Sequence, residues 1–239
     1  MRRGRERSAE NCRRNDARKD AVCLGSCRFQ RENREPVFGK SGETMIITIS
    51  REYGAGGRTV ARGLAQELGI EYYDIDFVRM TAKLSGYSED DIRREGEDMS
   101  GGRKFINQFL STNAYNSSYD AIFEAQREVI LDLAKKPCII VGRCSNMILR
   151  EEGIDSFDIF LYADLEHRRK RALELNENGK MDIDKYIARR DRLRNTYYHA
   201  YTGHLMGDAR DYNICLDTGK IGMDECVVIL AQLLKDKVK

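Results

Sequence analysis

The sequence predicts an α/β protein in which a parallel sheet carries helices on both faces, and three observations lead there. Short β-branched, mostly apolar runs recur at residues 45–50, 138–142, 157–162 and 212–216, the composition of strands covered on both sides. Between them lie stretches with apolar residues at helical spacing. A glycine-rich turn joins the first run directly to the first of these helices. Strands that alternate with helices imply right-handed crossovers and a parallel sheet.

In order, Met45, Ile46, Ile47, Thr48, Ile49 and Ser50 make the first strand. The turn at 52–57 reads Glu-Tyr-Gly-Ala-Gly-Gly, and Val60, Ala61, Leu64, Ala65 and Leu68 then share a helical face until Gly69 stops the helix. A second strand ends at Asp74 and Asp76. An amphipathic helix near 120–135 is closed by Pro137, and the third strand follows it. After the strand at 157–162, Asp164 is placed to cap a helix over 165–175. A basic helix over about 180–194, a strand at 212–216 and a helix over about 224–235 complete the pattern. Two stretches, 77–118 and 176–210, leave this rhythm as excursions from the sheet.

The chain has 239 residues, of which 41% are hydrophobic and 33% charged, with only 2 prolines. That composition excludes collagen-like and wholly disordered classes. No run approaches the roughly 20 apolar residues of a membrane span, and no apolar stretch follows the first arginines as in a secretory leader, so the cytoplasm is the expected location. The formal charge is only +2, but residues 1–44 carry +5 and the remainder −3. Those 44 residues lack helical or strand periodicity and are expected to form a disordered basic arm. Its positive charges are interleaved with acids and its aromatics are few, which argues against nucleic-acid binding. Met45 immediately precedes the first strand, so the arm also reads as sequence upstream of the translational start. The seven cysteines contain no C-x-x-C pair and read as reduced thiols rather than zinc ligands. His167, His199 and His204 lack metal-ligand spacing, and Tyr197, Tyr198 and Tyr201 are expected to pack their helix.

The glycine turn carries the strongest chemical signal. A glycine-rich loop opening a helix aims several N–H groups into one concavity, where the helix dipole adds positive potential. An ordinary βα turn also uses glycines, but Gly54, Gly56 and Gly57 followed by Arg58 and Thr59 favour a phosphate cradle. The pattern G-x-x-x-x-G-K-[ST] is not met. Aligned on Gly56, its lysine position holds Gly57 and its hydroxyl position Arg58, with Thr59 one place late. The lysine normally reaches the β- and γ-phosphates and the hydroxyl holds Mg²⁺. Arg58, Arg51 and Thr59 are the candidates to replace them, with Thr59 the candidate metal ligand. Arg143 follows a strand end and Gly142, at the carboxyl edge of the sheet where α/β proteins bind ligands.

The stretches ISREYGAGGRTVARGLAQELG, YYDID, IIVGRCSN, IARRDRLRNTYYHAYTG and YNICLDTGKIGMDE together resemble the cytidylate kinase-like family of P-loop nucleoside-monophosphate kinases. The resemblance covers residues 45–239. It implies a P-loop kinase-like parallel sheet with an NMP-binding insert at about 77–118 and a helical lid at about 176–210. It also implies ATP and Mg²⁺ as cofactors and a small nucleotide as substrate. The cofactor loop would then comprise Arg51, Gly54, Ala55, Gly56, Gly57, Arg58 and Thr59. Arg143 matches the family's G-R-D motif and would contact the acceptor phosphate; Arg190 and Asp191 match the lid's R-D pair, with Arg190 swinging over the phosphates. Arg58, Arg143 and Arg190 are therefore the catalytic candidates. Asp74 and Asp76 would open the NMP-binding region, with Arg79, Arg143, Arg190 and Arg194 as further substrate contacts. Asp217 and Thr218 resemble the family's D-T but equally suit a turn and helix entry. Arg189, Arg192 and Arg194 share a helix with Arg190, and at about 100° per residue they cannot all face inward.

Two departures bear on the acceptor. Cytidylate kinases carry an aspartate after the G-R pair and another four places after the lid arginine, whereas this chain has Cys144 and Arg194. Cytosine's exocyclic amine wants such acceptors. A pyrimidine nucleoside monophosphate, CMP or dCMP, leads the expectation, while UMP and a non-nucleotide acceptor stay open. The missing lysine also leaves open a nucleotide-binding module without turnover.

Overall fold

The computed structural model describes residues 44–74, 76–86, 88–90 and 118–235. The expected arm falls outside them up to residue 43, as do residues 91–117 of the expected insert. Strands β1 (Ile46–Arg51), β2 (Glu71–Tyr73), β3 (Cys138–Val141), β4 (Phe157–Tyr162) and β5 (Ile214–Asp217) form a single sheet in the order β2-β3-β1-β4-β5. All four pairings are parallel. The α-helices are α1 (Gly57–Leu68), α2 (Asp76–Ser85), α3 (Ser118–Leu133), α4 (Ser145–Glu151), α5 (Leu165–Leu175), α6 (Ile183–Thr202), α7 (Thr218–Ile221) and α8 (Met223–Leu234). No helix among the described residues is long and apolar enough to cross a membrane.

The alternation of side chains along a strand sorts the apolar runs into two cores. Ile47 and Ile49 of β1, with Ile139 and Val141 of β3, pack under Val60, Ala61 and Leu64 of α1 and Leu230 and Leu234 of α8. Ile46 and Ile140 point the other way, against Ile130 of α3, Ile148 and Leu149 of α4, and Tyr197 and Tyr198 of α6. The central strand is therefore buried on both faces from Ile46 to Ser50. Leu64 is fully buried beneath the sheet; Leu64→Ala should lower unfolding stability by about 2–5 kcal/mol, read as a shift of the denaturant midpoint.

Element boundaries moved where side chains do backbone work. The strand expected at 212–216 starts at Ile214 instead. Asn213 Oδ1 accepts the Asp158 N–H at 2.7 Å, and the Tyr212 ring packs on Phe160 with centroids 5.1 Å apart. The basic helix expected over 180–194 begins at Ile183, capped by Asp182, and runs on to Thr202 before Gly203 ends it. Asp74 lies just beyond β2, and Asp76 starts α2 rather than ending a strand. Asp164 caps α5 as expected, accepting the His167 N–H at 2.9 Å.

The packing also creates the site. β1 and β3 are neighbours, but α1 leaves β1 toward one face of the sheet and α4 leaves β3 toward the other. Loops that diverge from adjacent parallel strands open a crevice at the carboxyl edge, where α/β sheets bind ligands.

Candidate functional site

Two turns border this crevice. After β1, Tyr53-Gly54-Ala55-Gly56 curls into the start of α1, with Gly54 and Gly56 at φ of 82° and 77°. Thr218 holds this loop from below by donating its hydroxyl to the Ala55 carbonyl at 3.0 Å. Its neighbour Asp217 caps α7 through the Gly219 and Lys220 N–H groups, so the D-T pair supports the loop rather than facing ligand. After β3, Gly142, Arg143 and Cys144 all take positive φ, at 81°, 60° and 57°. Two non-glycine residues in the left-handed region store strain, which active-site turns commonly do. The turn carries Arg143, whose charge acts on Arg51, while the Cys144 side chain stays buried.

The arginines converge on this crevice. Arg51 ends β1 with its side chain 17% exposed, and Nη2 lies 3.5 Å from Asp74 Oδ1. Burial lowers its pKa first; Asp74 opposes, while Arg58, Arg143 and Arg190 add like-charge repulsion in the same downward direction. Arg58 ion-pairs with Asp74 and reaches Glu177 at 3.7 Å, but its side chain is 54% exposed. On α6, Ile187, Arg190, Asp191, Arg194, Tyr197 and Tyr198 share the inward face, spaced as helical geometry requires, while Arg189 and Arg192 are exposed. Arg194 Nη1 donates to the Arg51 carbonyl at 3.2 Å. Burial, then Arg51 and Arg190, push its pKa down to about 9.

Tyr53 organises the join between loop and helix. Its ring lies under the guanidinium groups of Arg190 and Arg194, at 5.7 and 5.5 Å from the centroid, a cation–π arrangement. It meets Tyr186 edge-on and donates its hydroxyl to Glu177 at 2.7 Å. Its backbone N–H is accepted by Asp191 Oδ1 at 2.7 Å, and Asp191 Oδ2 pairs with Arg168 of α5. Arg168 also approaches Glu52 at 3.4 Å. Burial raises the Glu52 pKa and Arg168 opposes it.

Of the residues singled out from sequence, Arg51, Arg58, Asp74, Arg143, Arg190 and Arg194 thus gather around the loop of Gly54, Ala55, Gly56 and Gly57. Thr59 turns its hydroxyl to Arg171, accepting from Nη2 at 3.1 Å, so a metal ion there would have to displace an arginine. No cluster of three His, Cys, Asp or Glu able to hold a metal occurs among the described residues. Arg79 is exposed on α2, and the Asp76 side chain lies outside the described residues. Sequence reasoning missed the roles of Tyr53, Arg168 and Glu177; Tyr53 alone carried a hint, an aromatic inside a glycine loop. The family model described as cytidylate kinase-like matches residues 46–220, more than half of the chain. The chain belongs to the cytidylate kinase-like family. This family member also resembles the crystal structure of an uncharacterized protein from Eubacterium ventriosum at 24% identity and a TM-score of 0.58, over 81% of this chain and 99% of that one. That likeness concerns the fold. A sugar kinase from Janibacter matches at 16% identity and a TM-score of 0.49, covering 82% of this chain and 96% of its own. A shikimate kinase from Acinetobacter baumannii matches at 16% and 0.45, covering 83% and 97%. A search of the curated proteins finds no match. Membership in a kinase-like family assigns the cytidylate kinase-like chain to phosphoryl-transfer chemistry.

Proposed function

We propose that this protein transfers the γ-phosphoryl group of ATP to a pyrimidine nucleoside monophosphate, with CMP or dCMP the leading acceptor. The observation that carries this reading is the crowding of Arg51, Arg143, Arg190 and Arg194, whose charges repel one another around the glycine loop. Such a cluster is relieved by a polyanion. Two nucleotides bring several phosphates together, and catalysis of transfer between them is chiefly positioning and charge neutralisation. Arg143 and Arg190 come from different elements, the turn after β3 and α6, which suits one to the acceptor phosphate and the other to the transferring group. In this reading α6 is the helical lid, and its arginines rest on Tyr53 and Tyr186 until phosphate draws them off.

The donor set does not fit a protein-held Mg²⁺ as it stands, because Thr59 is engaged by Arg171 and Asp74 by two arginines. The arginines themselves hold and screen the phosphates. Arg194, at the position of the family's second aspartate, lies against the Arg51 carbonyl and the Tyr53 ring beside the glycine loop, which supports phosphate contact rather than base selection for it.

The test is ADP release from ATP and Mg²⁺ in the presence of CMP, dCMP, UMP, AMP or GMP, and with no acceptor. Turnover should depend on a pyrimidine acceptor and drop about a hundredfold or more in Arg143→Ala. ATP binding without turnover across the panel would instead identify a binding module or a kinase of another acceptor.

A further inference from the structure

The lysine position of the phosphate-loop pattern holds Gly57, and what fills the space beside it is visible. A Cβ on Gly57 would lie 2.8 Å from Cγ, 3.2 Å from Cδ and 3.3 Å from Cβ of Arg51. The aliphatic stem of Arg51 therefore occupies the place from which a lysine at residue 57 would start. At the far end of the same side chain, a Cβ on Gly142 would lie 2.1 Å from Arg51 Nη1. The guanidinium thus runs from the end of β1, past the first residue of α1, to the turn that carries Arg143. Both neighbours must be glycine for that path to exist.

We infer that Arg51 performs the work of the missing phosphate-loop lysine, reaching the β- and γ-phosphates from the sheet instead of from the helix start. This rests on the reading of the loop as an ATP site. Arg58, the other candidate, leaves α1 toward solvent and is committed to Asp74 and Glu177. Arg51 is held at one edge by Asp74 and at its backbone carbonyl by Arg194. Its planar fork suits two phosphate oxygens at once where a lysine would offer a point charge.

The two positions should consequently trade. ATP affinity, measured by calorimetry on the full chain, is expected to fall roughly ten- to a hundredfold in Arg51→Met, which keeps the stem and removes the charge. Arg58→Met should lose less. Gly57→Lys alone should weaken binding, because its stem collides with Arg51. Gly57→Lys combined with Arg51→Ala should bind ATP at least about tenfold more tightly than Arg51→Met, since the charge returns from the other side of the same gap. A merely structural role for Arg51 would show no such compensation; where Arg51→Met fails to fold, the double variant is compared with the wild-type chain instead, ATP affinity within about tenfold of wild type supporting the assignment and a larger loss overturning it. Unchanged ATP affinity in Arg51→Met, or a larger loss in Arg58→Met, overturns the assignment. A wild-type chain that binds no ATP at all would sink the reading of the site and not this exchange in particular.

Discussion

Gly142→Ala is expected to abolish most activity while leaving a folded protein. Its new methyl would arrive 2.1 Å from Arg51 Nη1, far inside van der Waals contact, and the backbone there has φ of 81°. The conformational penalty for alanine in the left-handed region is about 1–2 kcal/mol. The larger consequence is positional: the guanidinium must leave the turn, and a displacement of about 1 Å at a reacting centre can cost about a hundredfold in rate. Gly153→Ala supplies the control, because Gly153 has φ of 68° but nothing within 4 Å of its would-be Cβ. Both variants should lose similar stability in a denaturant melt. Only Gly142→Ala should lose turnover, by about a hundredfold. Equal activity in the two would show that the close approach of Arg51 to Gly142 has no part in catalysis.

That contrast illustrates which features a sequence exposes. The central strand was legible because burial on both faces makes Ile46, Ile47 and Ile49 apolar without alternation, and the glycine loop because φ near 80° at Gly54 and Gly56 excludes most other residues. The inward face of α6 followed from helical geometry once the helix was recognised, though its extent did not: Tyr197, Tyr198 and Tyr201 continue it into the core, where Tyr201 stacks on Phe123 at 3.9 Å. Other features lie in contacts that no local pattern encodes. The Arg51 stem and Gly57 are adjacent only after α1 has folded back over β1. The start of β5 depends on an Asn213 side chain completing a ladder with Asp158. Thr59 looks like a late hydroxyl for magnesium until Arg171, 112 positions away, is found on it.

Asp191 provides the sharpest case of such a distant contact, and its removal the second large expected effect. One carboxylate oxygen takes the Tyr53 N–H, 138 positions away, and the other pairs with Arg168. The two charged side chains are only 19% and 13% exposed, so Asp191→Ala would leave an arginine and a backbone donor poorly solvated in the structure. Breaking a pair of this kind costs about 2–4 kcal/mol, somewhat below the fully buried limit because water retains partial access. Glu52 compensates only in part, since its carboxylate lies 3.4 Å from the Arg168 Nε. Function should suffer beyond stability, because Arg190 and Arg194 flank Asp191 on the face that it pins to the glycine loop. Asp191→Asn keeps an acceptor for Tyr53 but not the charge for Arg168, and should recover about half of the lost stability. Thermal melts of both variants, together with KM for ATP at a temperature where both are folded, separate the two effects. A lowered melting temperature with an unchanged KM would mean that Asp191 secures the fold alone; a raised KM in the alanine variant, partly restored by asparagine, would mean that it also places the arginines over the phosphate loop.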